Sequence, residues 1–377
     1  MSGIYIHIPF CKQACFYCDF HFSTSLKMKD VLIDSLTHEI KLRKNELNND
    51  IIETIYFGGG TPSILSQLEI DSIIDAVYEN HEVVSNPEIT LEANPDDLTS
   101  TKIKELAKSR INRLSIGIQS FFEQDLKLMN RAHNALEAKN CLSEATNYFK
   151  NISVDLIYGI PGASNKQWKK NIEIALSYGI PHISSYALTV EPKTALESFI
   201  KKGIIENVDD QQAQEQFYIL IDEVSKHNFI HYELSNFGKE GSFSKNNSSY
   251  WKGKYYLGIG PSAHSFNGKQ RSWNVKNNSK YIAAIQQNKL PIERELLSIT
   301  DQYNEYVMTG LRTIWGVSLE KVAREFGEQY HRYLLLQSKK YRAEDLLYIE
   351  DEKLKTTKKG KFLSDGISAD LFKLNVS

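Results

Sequence analysis

Three cysteines, Cys11, Cys15 and Cys18, fall close together in IHIPFCKQACFYCDF at 6–20. Their spacing is C-x3-C-x2-C, and the fourth cysteine, Cys141, lies over a hundred residues further on. Zinc sites close a tetrahedron with four protein ligands, usually two separated pairs. Here there is no second pair, and only His21 is placed to complete a Cys3His set. Thiolates also hold iron–sulfur clusters. On a four-iron cube three cysteines bind three irons, and the fourth iron keeps an open coordination position. An open position on a metal is where chemistry happens.

Further along, YFGGGTP at 56–62 offers Gly59, Gly60 and Thr61, and glycines let a backbone approach a ligand closely. By itself a glycine run is more often a turn. Glu92 in LEANP, Gln119 in GIQSF and Arg131 in LMNRAH are polar groups near the ends of apolar runs. Taken alone, Glu92 reads equally well as a surface acid before a turn. Asp155 in VDLIYGIPG lies inside an apolar run, where a carboxylate is costly unless it has partners. Cys141 reads as an ordinary helical thiol.

The elements that must carry these residues alternate. Strand patterns rich in β-branched and aromatic residues run over 3–9, 53–60, 88–93, 113–120, 153–161 and 182–190. Between them, stripes such as Leu32, Leu36 and Ile40, or Ile70, Ile73, Ile74 and Val77, have helical spacing. Parallel strands need crossover helices, so six such units predict a parallel βα barrel or open sheet. A βα barrel gathers its active site at the strands' C-terminal ends. The spacing predicts another helix over 209–226 and a long Gly-, Ser- and Asn-rich loop over 236–280. From about 300, two helical patterns, a hairpin and a last helix predict a small winged-helix-like unit.

Of the 377 residues 41% are hydrophobic, enough for a large core and more than one domain. With 45 basic and 47 acidic side chains, nothing points to nucleic acid. No apolar run reaches the roughly 20 residues of a membrane span. SGIYIHIPF reads as a strand rather than a signal peptide, so a cytoplasmic protein with reduced thiols is expected.

YIHIPFC, CFYCDF, GGGTP, LEANP, SIGIQSF, DLIYGIPG and YLGIGPSAHSF, taken together, resemble the radical S-adenosylmethionine superfamily. Within it they resemble the family of oxygen-independent coproporphyrinogen III dehydrogenase (HemN) and its relative HemW, over nearly the whole chain. The resemblance implies an α/β fold: a partial (β/α)6 TIM-like barrel over 1–235, a connecting segment over 236–299, and a C-terminal α+β, winged-helix-type domain over 300–377. It implies a [4Fe–4S] cluster on Cys11, Cys15 and Cys18, with the S-adenosylmethionine amino and carboxylate groups on the fourth iron. One electron then cleaves the sulfonium to methionine and a 5′-deoxyadenosyl radical. Tyr5, Gly59 and Glu92 match positions touching that S-adenosylmethionine. Tyr17, Gly60, Thr61, Gln119, Arg131, Asp155 and Ala187 match positions where HemN holds a second one.

Two departures separate this chain from HemN: its first strand starts by residue 4, and Phe20 replaces a further cysteine. Both are similar to HemW, regarded as a heme chaperone that passes heme to respiratory proteins. The implied partners are heme, those acceptors and an electron donor such as flavodoxin or ferredoxin, with a homodimer left open. The alternative function is HemN-like oxidative decarboxylation of coproporphyrinogen III. HemW proteins carry H-N-x-x-Y-W, and here NNSSYW at 246–251 puts Asn246 in the histidine's place. Asparagine is a poor iron ligand beside imidazole. His264, His231 and Tyr250 are the substitutes for holding heme.

Overall fold

The computed structural model describes residues 2–47 and 50–374. Six strands pair side by side in chain order, all parallel: β1 (Ser2–Ile8), β2 (Ile52–Gly59), β3 (Val83–Ala93), β4 (Arg113–Gln119), β5 (Ile152–Tyr158) and β6 (His182–Ala187). This is the expected α/β architecture, a central parallel sheet with helical crossovers.

Alternation explains the layering, because successive side chains of a strand point to opposite faces. Ile4, Ile6 and Ile8, Ile55 and Phe57, Leu114, Ile116 and Ile118, and Val154 and Leu156 all enter one core. The helical stripes meet them there: Leu32, Leu36 and Ile40 from Lys29–Leu42, and Ile70, Ile73, Ile74 and Val77 from Gln67–Asn80. The second of these helices starts at a reciprocal cap between Ser66 and Glu69, which satisfies amide donors the helix leaves open. The opposite strand faces carry Tyr5 and His7, Tyr56, Thr90 and Glu92, Ser115, and Ser153 and Asp155, so the other side of the sheet is largely polar.

The loop expected over 236–280 is largely ordered structure. β7 (Ile230–Glu233) and β8 (Asn236–Gly238) add antiparallel strands beyond β6. β9 (Tyr256–Ile259) lies parallel to β1, and β10 (His264–Phe266), β11 (Gln270–Asn274) and β12 (Ile292–Leu296) continue antiparallel. Strands of the segment 236–299 thus extend the sheet at both edges. β8 and β10 have three residues each, too short to stand out as strands in the sequence.

A buried ion pair fastens the extension. Arg43 Nη1 donates to Glu39 Oε1 at 2.9 Å and to Gly258 O at 2.7 Å. Glu39 also accepts from Gly260 N–H, Tyr281 OH and Asn274 Nδ2. With each charge this well bonded, the pair fixes how the Lys29–Leu42 helix sits on β9.

A second core gathers Tyr303, Val307, Leu311, Val322, Leu334 and Leu354. It packs the helices Ile299–Leu311 and Glu328–Ala343 on a small sheet of β13 (Val317–Ser318), β14 (Leu347–Glu350) and β15 (Lys353–Thr356). Among the described residues no helix is long and apolar enough to cross a membrane.

Candidate functional site

A cavity of about 570 Å³ opens at the C-terminal ends of the parallel strands, with Cys11, Cys15 and Cys18 on its rim. The loop after β1 carries all three and is tied down at several points. Phe16 N–H donates to Met129 O at 3.1 Å, and Asn130 Nδ2 donates to Ala14 O at 2.7 Å. The glycine loop after β2 is laced to it: Gly60 N–H donates to Ile8 O at 2.9 Å and Thr61 N–H to Phe10 O at 2.7 Å. A Cβ on Gly60 would lie 2.6 Å from Phe10 O and 2.8 Å from Ile8 O, so only glycine allows this approach.

None of the three thiols is in a disulfide. Burial pushes Cys11 up to about 11, so its thiolate needs a nearby cation to form. Among the described residues no three Cys, His, Asp or Glu groups converge on a single metal ion. A cube makes no such demand, because each thiolate takes its own iron. His21, the one candidate for a Cys3His zinc set, donates from Nε2 to Asn278 Oδ1 at 2.7 Å. The donor set therefore fits a cluster held at three corners and does not form a closed zinc site.

Arg131 joins the thiol loop to the strand ends. Its Nη2 donates to Asn94 Oδ1 at 2.6 Å and to Gly117 O at 3.0 Å, and its Nη1 to Cys15 Sγ at 3.3 Å and Tyr17 OH at 3.4 Å. Its Nε is buried with no hydrogen-bond partner. A guanidinium beside a cysteine on the wall of this cavity suits an anionic ligand group there.

Two carboxyl groups line the same space. Glu92 Oε1 accepts from Tyr56 OH at 2.8 Å and Oε2 from Gly59 N–H at 3.2 Å, yet burial raises it from 4.5 to about 7. Ser115 Oγ donates to Asp155 at 3.1 Å, and burial raises this carboxyl from 3.8 to about 6. Both can hold or release a proton near neutrality, the condition found at functional sites. Gln119 ends β4 with φ at 64°, a conformation that favours glycine, and turns its side chain over Gly117.

Tyr17, Gly59, Gly60, Thr61, Glu92, Gln119, Arg131, Asp155 and Ala187 all line the cavity with the three cysteines. Tyr5 does not line it; its hydroxyl donates to His7 Nδ1 at 3.2 Å and its ring lies against Gly58. Sequence reasoning missed Asn94, Tyr56 and Ser115, which hold Arg131, Glu92 and Asp155. The signal for Asn94 and Tyr56 was at hand, since they sit inside LEANP and YFGGG.

The four positions weighed for heme separate sharply. Asn246 is 4% exposed near the start of β2, where its Oδ1 accepts from Thr54 Oγ1 at 3.2 Å and its N–H donates to Glu88 at 3.1 Å. Burial pushes the Tyr250 phenol up, away from tyrosinate, and Asn246 hydrogen-bonds it. His231 stacks on Phe237 with centroids 4.2 Å apart, donates from Nε2 to Leu234 O, and accepts at Nδ1 from Lys361 at 2.9 Å. His264 is exposed on β10.

The family description Radical SAM superfamily matches residues 5–175, and HemN C-terminal domain matches 297–363. The heme chaperone HemW of Bacillus subtilis is 32% identical over 372 residues, covering 97% of this chain and 98% of its own. That of Lactococcus lactis subsp. lactis is 33% identical, covering 97% and 98%. In fold, coproporphyrinogen III oxidase (HemN) from Escherichia coli, a radical SAM enzyme, matches with TM-score 0.85 over 99% of this chain and 90% of its own, at 21% identity.

Proposed function

Because this chain belongs to the HemN/HemW family of radical S-adenosylmethionine proteins, we propose that it is a heme chaperone, binding heme and passing it to heme-accepting respiratory proteins. The observation that carries this reading is similarity from end to end, the C-terminal unit included, to relatives named heme chaperone HemW. The fold likeness to HemN is compatible with decarboxylation of coproporphyrinogen III but does not favour it.

Membership of the superfamily implies a [4Fe–4S] cluster and S-adenosylmethionine, which together supply one-electron cleavage of a sulfonium. The chain's own residues do the rest. Cys11, Cys15 and Cys18 bind the irons as thiolates. Arg131 holds positive charge beside Cys15, suited to an anionic ligand group. The Gly59–Gly60 backbone would hold the amino end of the ligand, and Glu92 would accept from its hydroxyl groups. Asp155, Gln119, Thr61, Tyr17 and Ala187 shape the wider part of the cavity. A small flavin or iron–sulfur protein is the electron donor in this reading, and the cytoplasm is the site of action.

The test uses the full-length chain reconstituted with iron and sulfide without oxygen. Titrated heme should bind and shift its Soret band. With S-adenosylmethionine, reductant and coproporphyrinogen III, no decarboxylated porphyrinogen should form. Failure to bind heme overturns the chaperone reading, and product formation replaces it with the enzyme.

A further inference from the structure

We infer that the open face of β10 and β11 beside the thiol loop is where heme docks, with His264 as axial ligand to its iron. This rests on the heme-handling reading and goes further by naming a place and its residues.

The turn before β10 puts His264 at the thiol end of the sheet. Gly260 in that turn packs on β1 so closely that a Cβ there would lie 2.7 Å from His7 O. The next residue, Ser265, faces the helix side, where its Oγ meets Arg43 Nη2 at 3.0 Å and Gly258 N–H at 2.9 Å. Alternation therefore turns His264 and Phe266 to the open face. No described residue hydrogen-bonds either ring nitrogen of His264, unlike His231, whose nitrogens are both taken. Burial and the neighbouring Arg271 lower its pKa, which keeps the imidazole neutral, the form that binds iron.

The surroundings suit a flat, apolar, dianionic ligand. Trp273 sits opposite His264 across β10 and β11, with ring centroids 5.8 Å apart and planes 30° apart, and offers an aromatic wall. Lys276, just past β11, is exposed, forms no ion pair with any described residue, and lies close enough to act on His7 and His21. It is a free cation for a propionate. Arg271 is unsuited to that role, since Glu305 holds it at 2.7 and 2.8 Å.

The experiment titrates heme into the reconstituted full-length protein and into His264→Ala, His264→Met, Lys276→Gln and His227→Ala. His227 is another exposed histidine, outside the face. Absorption and electron paramagnetic resonance report the axial ligand, and iron and sulfide counts report an intact fold. His264→Ala should lose the histidine signature and weaken binding at least about tenfold. His264→Met should bind with a changed Soret band. Lys276→Gln should weaken binding with ligation unchanged, and His227→Ala should match wild type. A His264→Ala protein with wild-type affinity and spectrum overturns this site and leaves the chaperone reading standing. Wild-type protein that takes up no heme overturns both.

Discussion

Replacing Glu92 by Gln separates the cost of keeping a carboxylate in the cavity from its use there. Burial is the dominant influence on Glu92; the Tyr56 hydrogen bond opposes it, Asp155 adds to it, and the Gly59 amide opposes it weakly. The net effect raises the group from 4.5 to about 7. The folded chain therefore holds this proton more tightly than the unfolded chain. Its contribution to stability is full below about pH 4.5 and is lost as the pH climbs through about 7. At about 1.4 kcal/mol for each tenfold change in proton affinity, the loss is about 3 kcal/mol. Gln has the same shape and no charge, but its amide cannot accept from both Tyr56 and Gly59, a defect of about 1 kcal/mol. Above pH 7 the variant should be more stable than wild type by about 2 kcal/mol, and near pH 4.5 it should have no advantage. Urea titrations of the iron-free chain between those limits, comparing the two proteins at each pH, give this difference directly. A difference that stays constant with pH refutes burial as the cause. S-adenosylmethionine affinity of the reconstituted variant should fall, since the hydroxyl acceptor has lost its charge.

Arg131→Met removes the cation beside Cys15 and leaves Asn94 Oδ1 and Gly117 O without their donor. S-adenosylmethionine binding, by equilibrium dialysis, should weaken about tenfold or more, and the cluster's reduction potential should become more negative. Gly60→Ala forces a methyl group to 2.6 Å from Phe10 O and 2.8 Å from Ile8 O, backbone atoms that no rotamer change can move. It should destabilise the chain by about 1–3 kcal/mol in urea titration and reduce the iron retained after gel filtration. Asn246→His places a larger ring beside Gly3 and Thr54. It should cost about 1–3 kcal/mol of stability without raising heme affinity, measured by Soret titration.

The thiol spacing and the six βα units were legible because both are local patterns. Cys11, Cys15 and Cys18 lie on one loop, and Leu32, Leu36 and Ile40 repeat along one helix. The partners of the site were not legible for the opposite reason. Asn94 earns its place by holding Arg131 from 37 positions away, and Ser115 meets Asp155 from 40. His231 and His264 look alike in the sequence, each a lone imidazole in a short aromatic stretch. They part only in three dimensions, where Lys361 and Phe237 enclose one and Ser265 turns the other outward.

The polar face of the sheet therefore has two kinds of member. At the N-terminal ends of the strands, Ser153 Oγ and Tyr232 OH bond the two nitrogens of His182 at 2.7 and 2.8 Å, and Ser184 Oγ donates to Asn236 Oδ1 at 2.7 Å. Asn246 belongs to this closed floor, against which the Lys245–Trp251 helix is seated. A buried network whose bonds are all made fixes an arrangement and has nothing left for a ligand. At the other end stand three thiols outside any disulfide, a guanidinium with an idle Nε, and two carboxyls pushed toward neutrality. Such groups are costly in the empty chain, and binding a charged cofactor relieves the cost. The same reasoning moves heme away from Asn246 and Tyr250, which are engaged by hydrogen bonds, to the face where an imidazole and an ammonium are still unpaired.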